Sequence, residues 1–273
     1  MALEKSPGAR PAGVRKQEES GGATLQTVER ALGFLEIVAA ADEPMTIRQV
    51  AERLGINVTT CYHVYNTLTA MGYIERSTDA TLRIGFEVAA LYDGYLRGST
   101  TARLTAALVD DLAHDSGETA WVSFLSGDTV TLAAFAEGSH RVRATGLHVG
   151  LQGNEHRRSS GRAVLAFLDD ESRKLVLDRA LAAFSPEERA STEAVLDSDL
   201  RAIRDRGWAL DDEQFQQGIL GVAAPFFAAD GAVLGAVGLW APSDRGRATL
   251  NGLVAHVVAA AQRATATLGR SRR

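Results

Sequence analysis

Apolar residues recur at helical spacing in three short runs in the first third of the chain. The first run covers about 24–40, where Val28, Ala31, Leu32, Leu35 and Val38 form one stripe before Asp42, Glu43 and Pro44 break it. A second helix is predicted to start at Thr46, because Thr46 and Gln49 have the spacing at which two side chains cap a helix start reciprocally. Ile47, Val50, Ala51 and Leu54 make its apolar face, and Gly55 ends it as a residue tolerant of positive φ. Asn57 is the predicted N-cap of a third helix that runs to about Met71, with Cys61, Val64 or Tyr65, and Leu68 turned inward. Gly72 stops it, and the period then changes from helical to alternating. Residues 73–76 and 81–84 read as two short strands around a four-residue turn, a hairpin. Three helices with a tight turn between the last two, then a hairpin, predict a winged helix-turn-helix over 24–85. Residues 86–99 are predicted to form a connector helix.

The rest of the chain, 100–270, mixes both periods. A helix is expected around 103–114, then strands at 119–125, 129–136 and 141–149, and a loop at 150–160. Helices follow at 161–168, 171–183 and 193–206, strands at 208–213, 221–227 and 233–240, and a last helix at 249–268. Strands in two blocks with helices between them predict an α+β domain with a mainly antiparallel sheet. Residues 1–23 hold prolines, glycines and mixed charges with almost no periodic apolar residues, so a disordered tail is expected there.

Composition narrows the picture. The chain has 273 residues, 45% of them hydrophobic, and a net charge of −5. One cysteine, Cys61, excludes an intrachain disulfide and fits a reducing cytoplasm. No apolar run approaches the roughly 20 residues that span a bilayer, and no signal-peptide core is visible, so no membrane partner is expected. The acidic balance gives no general electrostatic case for nucleic acid. Between 24 and 85, five arginines face seven acids, a balance of −2. The case for DNA is local. The third helix presents Thr59, Thr60, Tyr62, His63, Asn66 and Thr67, a polar set suited to base edges in a major groove. Arg48, Arg76 and Arg83 are placed to reach phosphates or a minor groove. The alternative is a sensor or scaffold that acts through protein contacts without sequence-specific DNA binding. No nucleophile elbow, phosphate loop, metalloprotease helix or dinucleotide glycine pattern is present, so neither an enzyme nor a cofactor is expected. His156 has no second ligand at metal spacing and reads as structural, hydrogen-bonded within its loop.

Four runs carry a family resemblance. They are Thr27-Val-Glu-Arg-Ala-Leu32; Thr59-Thr60 through Thr67-Leu68 with Gly72-Tyr73-Ile74; His156 with Gly161-Arg-Ala-Val-Leu-Ala166; and Gly207-Trp-Ala-Leu-Asp211 with Gly218 and Val222-Ala-Ala-Pro225. In order and spacing they resemble the IclR family of bacterial regulators over about 24–268. The resemblance implies a repressor or activator that binds a double-stranded operator, a GAF-like effector-binding domain, and a homodimer or dimer of dimers. It also implies a small-molecule effector. Family members that bind small carboxylates use an Asp, a Cys and two Ser. Here Asp211 keeps the acid, Gly221 replaces the cysteine, and Gly238 and Trp240 replace the serines. His63 stands where an arginine is usual, and Arg157 and Arg158 stand where small residues are usual.

These departures set an expectation for the effector. Ser159, Ser160 and Gly161 sit at a helix N-terminus whose free N–H groups favour an anion. Arg157 or Arg158 is expected to add a charge-assisted fork, unless both belong to a solvated loop. Gly221 and Gly238 are expected to leave room, and Trp240 to be either an aromatic stacking face or ordinary core. The combination points to a bulky or aromatic carboxylate, with Asp211 accepting from a hydroxyl or amine on it.

Overall fold

Phe34, Val50, Cys61 and Ile74 are almost completely buried, and they draw three helices and a hairpin around one small core. The computed structural model describes residues 24–41, 43–144 and 146–269; the tail expected over 1–23 lies outside them. The chain divides into two units, Met1–Gly98 and Ser99–Arg273.

In the first unit, α1 (Gln26–Ala39) precedes α2 (Ile47–Leu54) and α3 (Val58–Ala70). The Thr46–Gln49 capping box starts α2, and Gly55 ends it with φ of 65°. Asn57 accepts the Thr60 N–H at 2.7 Å and so starts α3. The hairpin pairs β1 (Ile74–Arg76) with β2 (Leu82–Ile84), Glu75 opposite Arg83. Asp79 accepts from the Thr81 N–H and hydroxyl, which fixes the turn and holds its own carboxyl below the usual carboxylate range. The Leu82 N–H donates to the Met45 carbonyl at 2.8 Å, tying the hairpin to the segment before α2. At Gly85 any side chain would collide with the Gly72 carbonyl, so a glycine is what lets the hairpin return past the end of α3. α4 (Glu87–Gly98) follows, and it buries none of its residues within the chain.

The second unit is a five-stranded antiparallel sheet in the order β4-β3-β7-β6-β5. Its strands are β3 (Thr119–Ser126), β4 (Thr129–Ala136), β5 (Ala209–Asp212), β6 (Ile219–Phe227) and β7 (Val233–Pro242). α5 (Thr100–Ser116) and α10 (Leu250–Leu268) cover one face, against Ala120, Val122, Val222 and Leu239. α6 (Ser159–Leu165), α7 (Asp170–Ala180) and α8 (Pro186–Arg206) cover the other, against Trp121, Ala223, Ala236 and Trp240. α9 (Ser243–Ala248) links β7 to α10. Burial on both faces explains why β6 and β7 read as nearly continuous apolar runs. This is the α+β, GAF-like architecture the sequence predicts.

Three elements differ from the sequence reading, one of them α9, a short helix not expected there. The described residues of 141–149 form no strand. Gly146 and Gly150 have φ of 99° and 91°, outside the extended region of a regular strand. The outer edge of β4 is taken instead by a turn: Leu132 and the 150–151 pair exchange backbone hydrogen bonds at 2.8 and 2.9 Å. α8 begins at Pro186, seven residues before the predicted 193, because Ser185 and Glu188 form a capping box with proline at the first turn.

Candidate nucleic-acid interface and ligand cavity

α3 turns Cys61, Val64 and Leu68 into the core, so helical geometry puts the other side of the helix in solvent. Thr59, Tyr62, His63, Asn66 and Thr67 are exposed and Thr60 is half-exposed. The Thr67 hydroxyl donates to the His63 carbonyl at 3.0 Å, which leaves it free only to accept. Tyr62 meets Tyr65 edge to face at 6.3 Å. Arg48 on α2, and Arg76 and Arg83 on the hairpin, are exposed. All nine predicted residues therefore lie on the surface of the first unit, and the six on α3 share one helix.

In the second unit a cavity of about 10 Å³ lies between the sheet and α6, room for about one water molecule. Arg158, Ser159, Ser160 and Ser123 supply its polar wall, and Trp121, Trp240, Leu132, Leu147 and Leu151 its apolar wall. Four polar atoms on these residues are buried without a hydrogen-bond partner in the protein: Trp121 Nε1, Ser123 Oγ, Arg158 Nε and Ser159 Oγ. Such groups cost free energy unless something satisfies them, and all four belong to residues that line one space.

Arg158 is the charged member, only 4% exposed. Its Nη2 donates to the Val130 carbonyl at 2.9 Å and its Nη1 to the Leu151 carbonyl at 3.5 Å. Its nearest carboxylate oxygen, on Glu155, is 3.9 Å away. Burial pulls its pKa down to about 10, against the pull of Glu155 and Asp211.

The structure separates the predicted effector residues. Arg158, Ser159, Ser160 and Trp240 line the cavity, whereas Arg157 is exposed and Gly161, Asp211, Gly221 and Gly238 do not line it. Gly161 is where α6 rides against the Glu155 backbone, too close for a side chain. Asp211 caps a turn, accepting the Gln214 and Phe215 N–H groups at 2.9 and 3.1 Å, and burial pushes its carboxyl up. The two sheet glycines do not leave room. Gly221 is paired across the sheet with Trp240, and a methyl there would sit 3.2 Å from the Trp240 indole and 2.8 Å from Ser159 Oγ. Gly238 is paired with Trp121, and a methyl there would sit 2.8 Å from the Trp121 Cη2 and collide with the Val222 carbonyl. Each glycine is thus the floor under an indole. Trp121, Ser123, Leu132, Leu147 and Leu151 were not among the predicted site residues; Trp121 and Ser123 share the face of β3 that packs under α6.

A stability change follows from the second pair. Gly238→Ala must push the Trp121 ring away from the sheet and shift the Val222 carbonyl, and overpacking of this kind costs about 1–3 kcal/mol. The expected result is a lower urea midpoint with a red-shifted tryptophan emission; an unchanged midpoint and spectrum would show that the ring has somewhere else to go.

His156 departs from expectation in another way. It is buried and meets Phe184 edge to face at 5.4 Å, yet both ring nitrogens lack a partner. Burial first, then the Arg157 and Arg162 charges, hold its pKa at about 4, against Glu155.

Comparison with known proteins bears on both units. Residues 27–78 match the IclR helix-turn-helix domain, and residues 94–266 match the family described as bacterial transcriptional regulator IclR C-terminal. A glycerol operon regulatory protein of Streptomyces griseus is 31% identical over 225 residues, 81% of this chain and 86% of that protein. A solved transcriptional regulator from Alicyclobacillus acidocaldarius superposes with a TM-score of 0.71 at 22% identity, covering 90% of this chain and 98% of that one. An IclR homologue of Microbacterium hydrocarbonoxydans, solved in complex with 4-hydroxybenzoate, superposes at 0.67 and 22% identity, covering 89% and 99%. At those identities the two solved structures speak to the fold alone.

Proposed function

This chain belongs to the IclR family of bacterial transcriptional regulators, and from that premise we propose a cytoplasmic regulator whose grip on an operator is set by a carboxylate bound beside Arg158. No helix among the described residues is long and apolar enough to cross a membrane. The protein acts by binding rather than by catalysis. α3 reads base edges in the major groove through Thr59, Thr60, Tyr62, His63, Asn66 and Thr67, and Arg48, Arg76 and Arg83 hold phosphates. The weak acidic balance of this unit makes the groove-facing side chains, and not net charge, the source of specificity.

Two copies bind together. Leu25, Val28 and Leu32 on or beside α1 and Leu91, Tyr92 and Tyr95 on α4 are all more than half exposed, apolar surface that a second copy would cover. A two-fold dimer of this kind reads a near-palindromic site.

The observation that carries the ligand-controlled part is the set of four unpartnered buried polar atoms around one cavity. The indole N–H and the Arg158 Nε–H can only donate, so the ligand presents acceptors, and the buried guanidinium favours an anion. The two indoles and three leucines favour a flat apolar body behind the carboxylate. The Microbacterium complex shows an aromatic carboxylate as ligand of a protein with this fold. Asp211 is not part of this reading, because it does not line the cavity and its Oδ1 serves the turn. Admitting a ring moves Leu147 and Leu151 outward. They belong to the irregular stretch between β4 and α6, where Gly146, Gly150 and Gly153 sit at positive φ.

Titration of DNA from the chain's own promoter, followed by fluorescence anisotropy with and without aromatic acids, tests both halves. Thr60→Ala and Asn66→Ala are expected to weaken specific binding about tenfold each with unchanged folding. Unchanged affinity in both variants would move the reading face off α3, and loss of DNA binding altogether in the parent would favour the scaffold alternative.

A further inference from the structure

We infer that Glu155 is a built-in counter-anion to Arg158 that makes the cavity selective for singly charged acids over dianions. This rests on the reading of the cavity as a carboxylate site.

Glu155 is fully buried three residues before Arg158. Its Oε1 accepts from Arg179 Nη2 at 2.6 Å and from the Gly153 N–H at 3.2 Å, while Oε2 has no partner. Arg179 is also held from outside by Asp128, whose Oδ2 is 3.2 Å from its Nε. The row therefore runs Asp128, Arg179, Glu155, Arg158, with signs alternating toward the cavity. Glu155 does not orient Arg158 by hydrogen bonding. At 3.9 Å the pair is loose, and the guanidinium is aimed by the Val130 and Leu151 carbonyls. What Glu155 gives Arg158 is charge, enough to make a buried cation tolerable.

That charge has a consequence for ligands. One carboxylate beside Arg158 completes the neutralisation that the loose ion pair leaves unfinished. A second carboxylate on the same ligand finds no further cation among the residues lining the cavity, and it meets the Glu155 charge in a poorly screened interior. Glu155 thus acts as a filter on ligand charge, and Arg179 moderates the filter by sharing the Glu155 carboxylate.

The test compares two probes of nearly equal shape, 3-carbamoylbenzoate with one charge and isophthalate with two, by calorimetry on the full-length protein. The parent is expected to prefer the monoanion. Glu155→Gln keeps the acceptor for Gly153 and Arg179 but removes the charge, and should shrink that preference about tenfold. Arg179→Gln, at a position one-third exposed, should enlarge it, and it serves if Glu155→Gln does not fold. A purely structural role would change both affinities together and leave their ratio alone. A ratio unmoved in both folded variants overturns the filter while leaving the carboxylate site standing. Failure of both probes to bind the parent overturns the site reading and the filter with it.

Discussion

Arg158→Met is expected to weaken carboxylate binding about thirtyfold or more and to leave DNA binding without ligand unchanged. Methionine keeps most of the side-chain length and its fit against Leu132 and Leu151, and it removes both the charge and the donors. Losing one partner of a desolvated, hydrogen-bonded charge pair costs about 2–5 kcal/mol, and 1.4 kcal/mol is a factor of ten in affinity. Folding should suffer as well, because the Val130 carbonyl loses its donor; two features limit that cost. The guanidinium's desolvation disappears with it, and Glu155 keeps Arg179 at 2.6 Å. Arg158→Lys should fall between, since an ammonium retains the charge but cannot donate to Val130 and the ligand in the same plane. Calorimetry on an aromatic acid, paired with anisotropy on operator DNA, gives both numbers. A methionine variant that binds the acid as tightly as the parent would place the anion elsewhere.

Much of this protein is readable from its sequence, and the reasons differ by level. Helix starts and stops in the first unit are written in single residues, Thr46, Gln49, Gly55 and Asn57, each of which acts within one turn of itself. The Ser185-to-Glu188 start of α8 is written just as locally, in a capping box with proline behind the serine, but periodicity alone begins the helix later. The strand expected over 141–149 alternates only in two short stretches, Val142 with Ala144 and Leu147 with Val149, and alternation cannot reveal that the neighbouring edge is already occupied by Gly150 and Leu151.

The cavity is harder, because it depends on pairing across the sheet. Trp121 and Gly238 are neighbours only through the β3–β7 register, and Trp240 and Gly221 only through β6–β7. A glycine read in isolation suggests space, and only the register shows that an indole lies over it. Arg157 and Arg158 are alike in the sequence; the turn of chain into α6 buries one and exposes the other. The lining of the cavity was therefore legible in part as chemistry, in Arg158, Ser159, Ser160 and Trp240, and illegible in shape.

His156→Phe is expected to remove a large part of the loss of stability that the second unit suffers in acid. In the folded protein the ring holds no proton above about pH 4, whereas the unfolded chain binds one below about 6.5. The stability that this difference provides is complete above pH 6.5 and is lost as the pH falls toward 4, because only the unfolded state gains the proton. The shift corresponds to on the order of 2–3 kcal/mol once some solvent screening is allowed for. Phenylalanine keeps the edge-to-face contact with Phe184 and removes two buried nitrogens that have no partner, so stability at pH 7.5 should be unchanged or higher. All three tryptophans, Trp121, Trp208 and Trp240, lie in the second unit, so urea titrations followed by their fluorescence report on that unit alone. The parent should lose markedly more of its midpoint between pH 7.5 and 4.5 than the variant does. Equal losses in the two proteins would mean that His156 takes up its proton in the folded state as readily as in the unfolded one, and that the acid sensitivity of the unit belongs to its carboxylates.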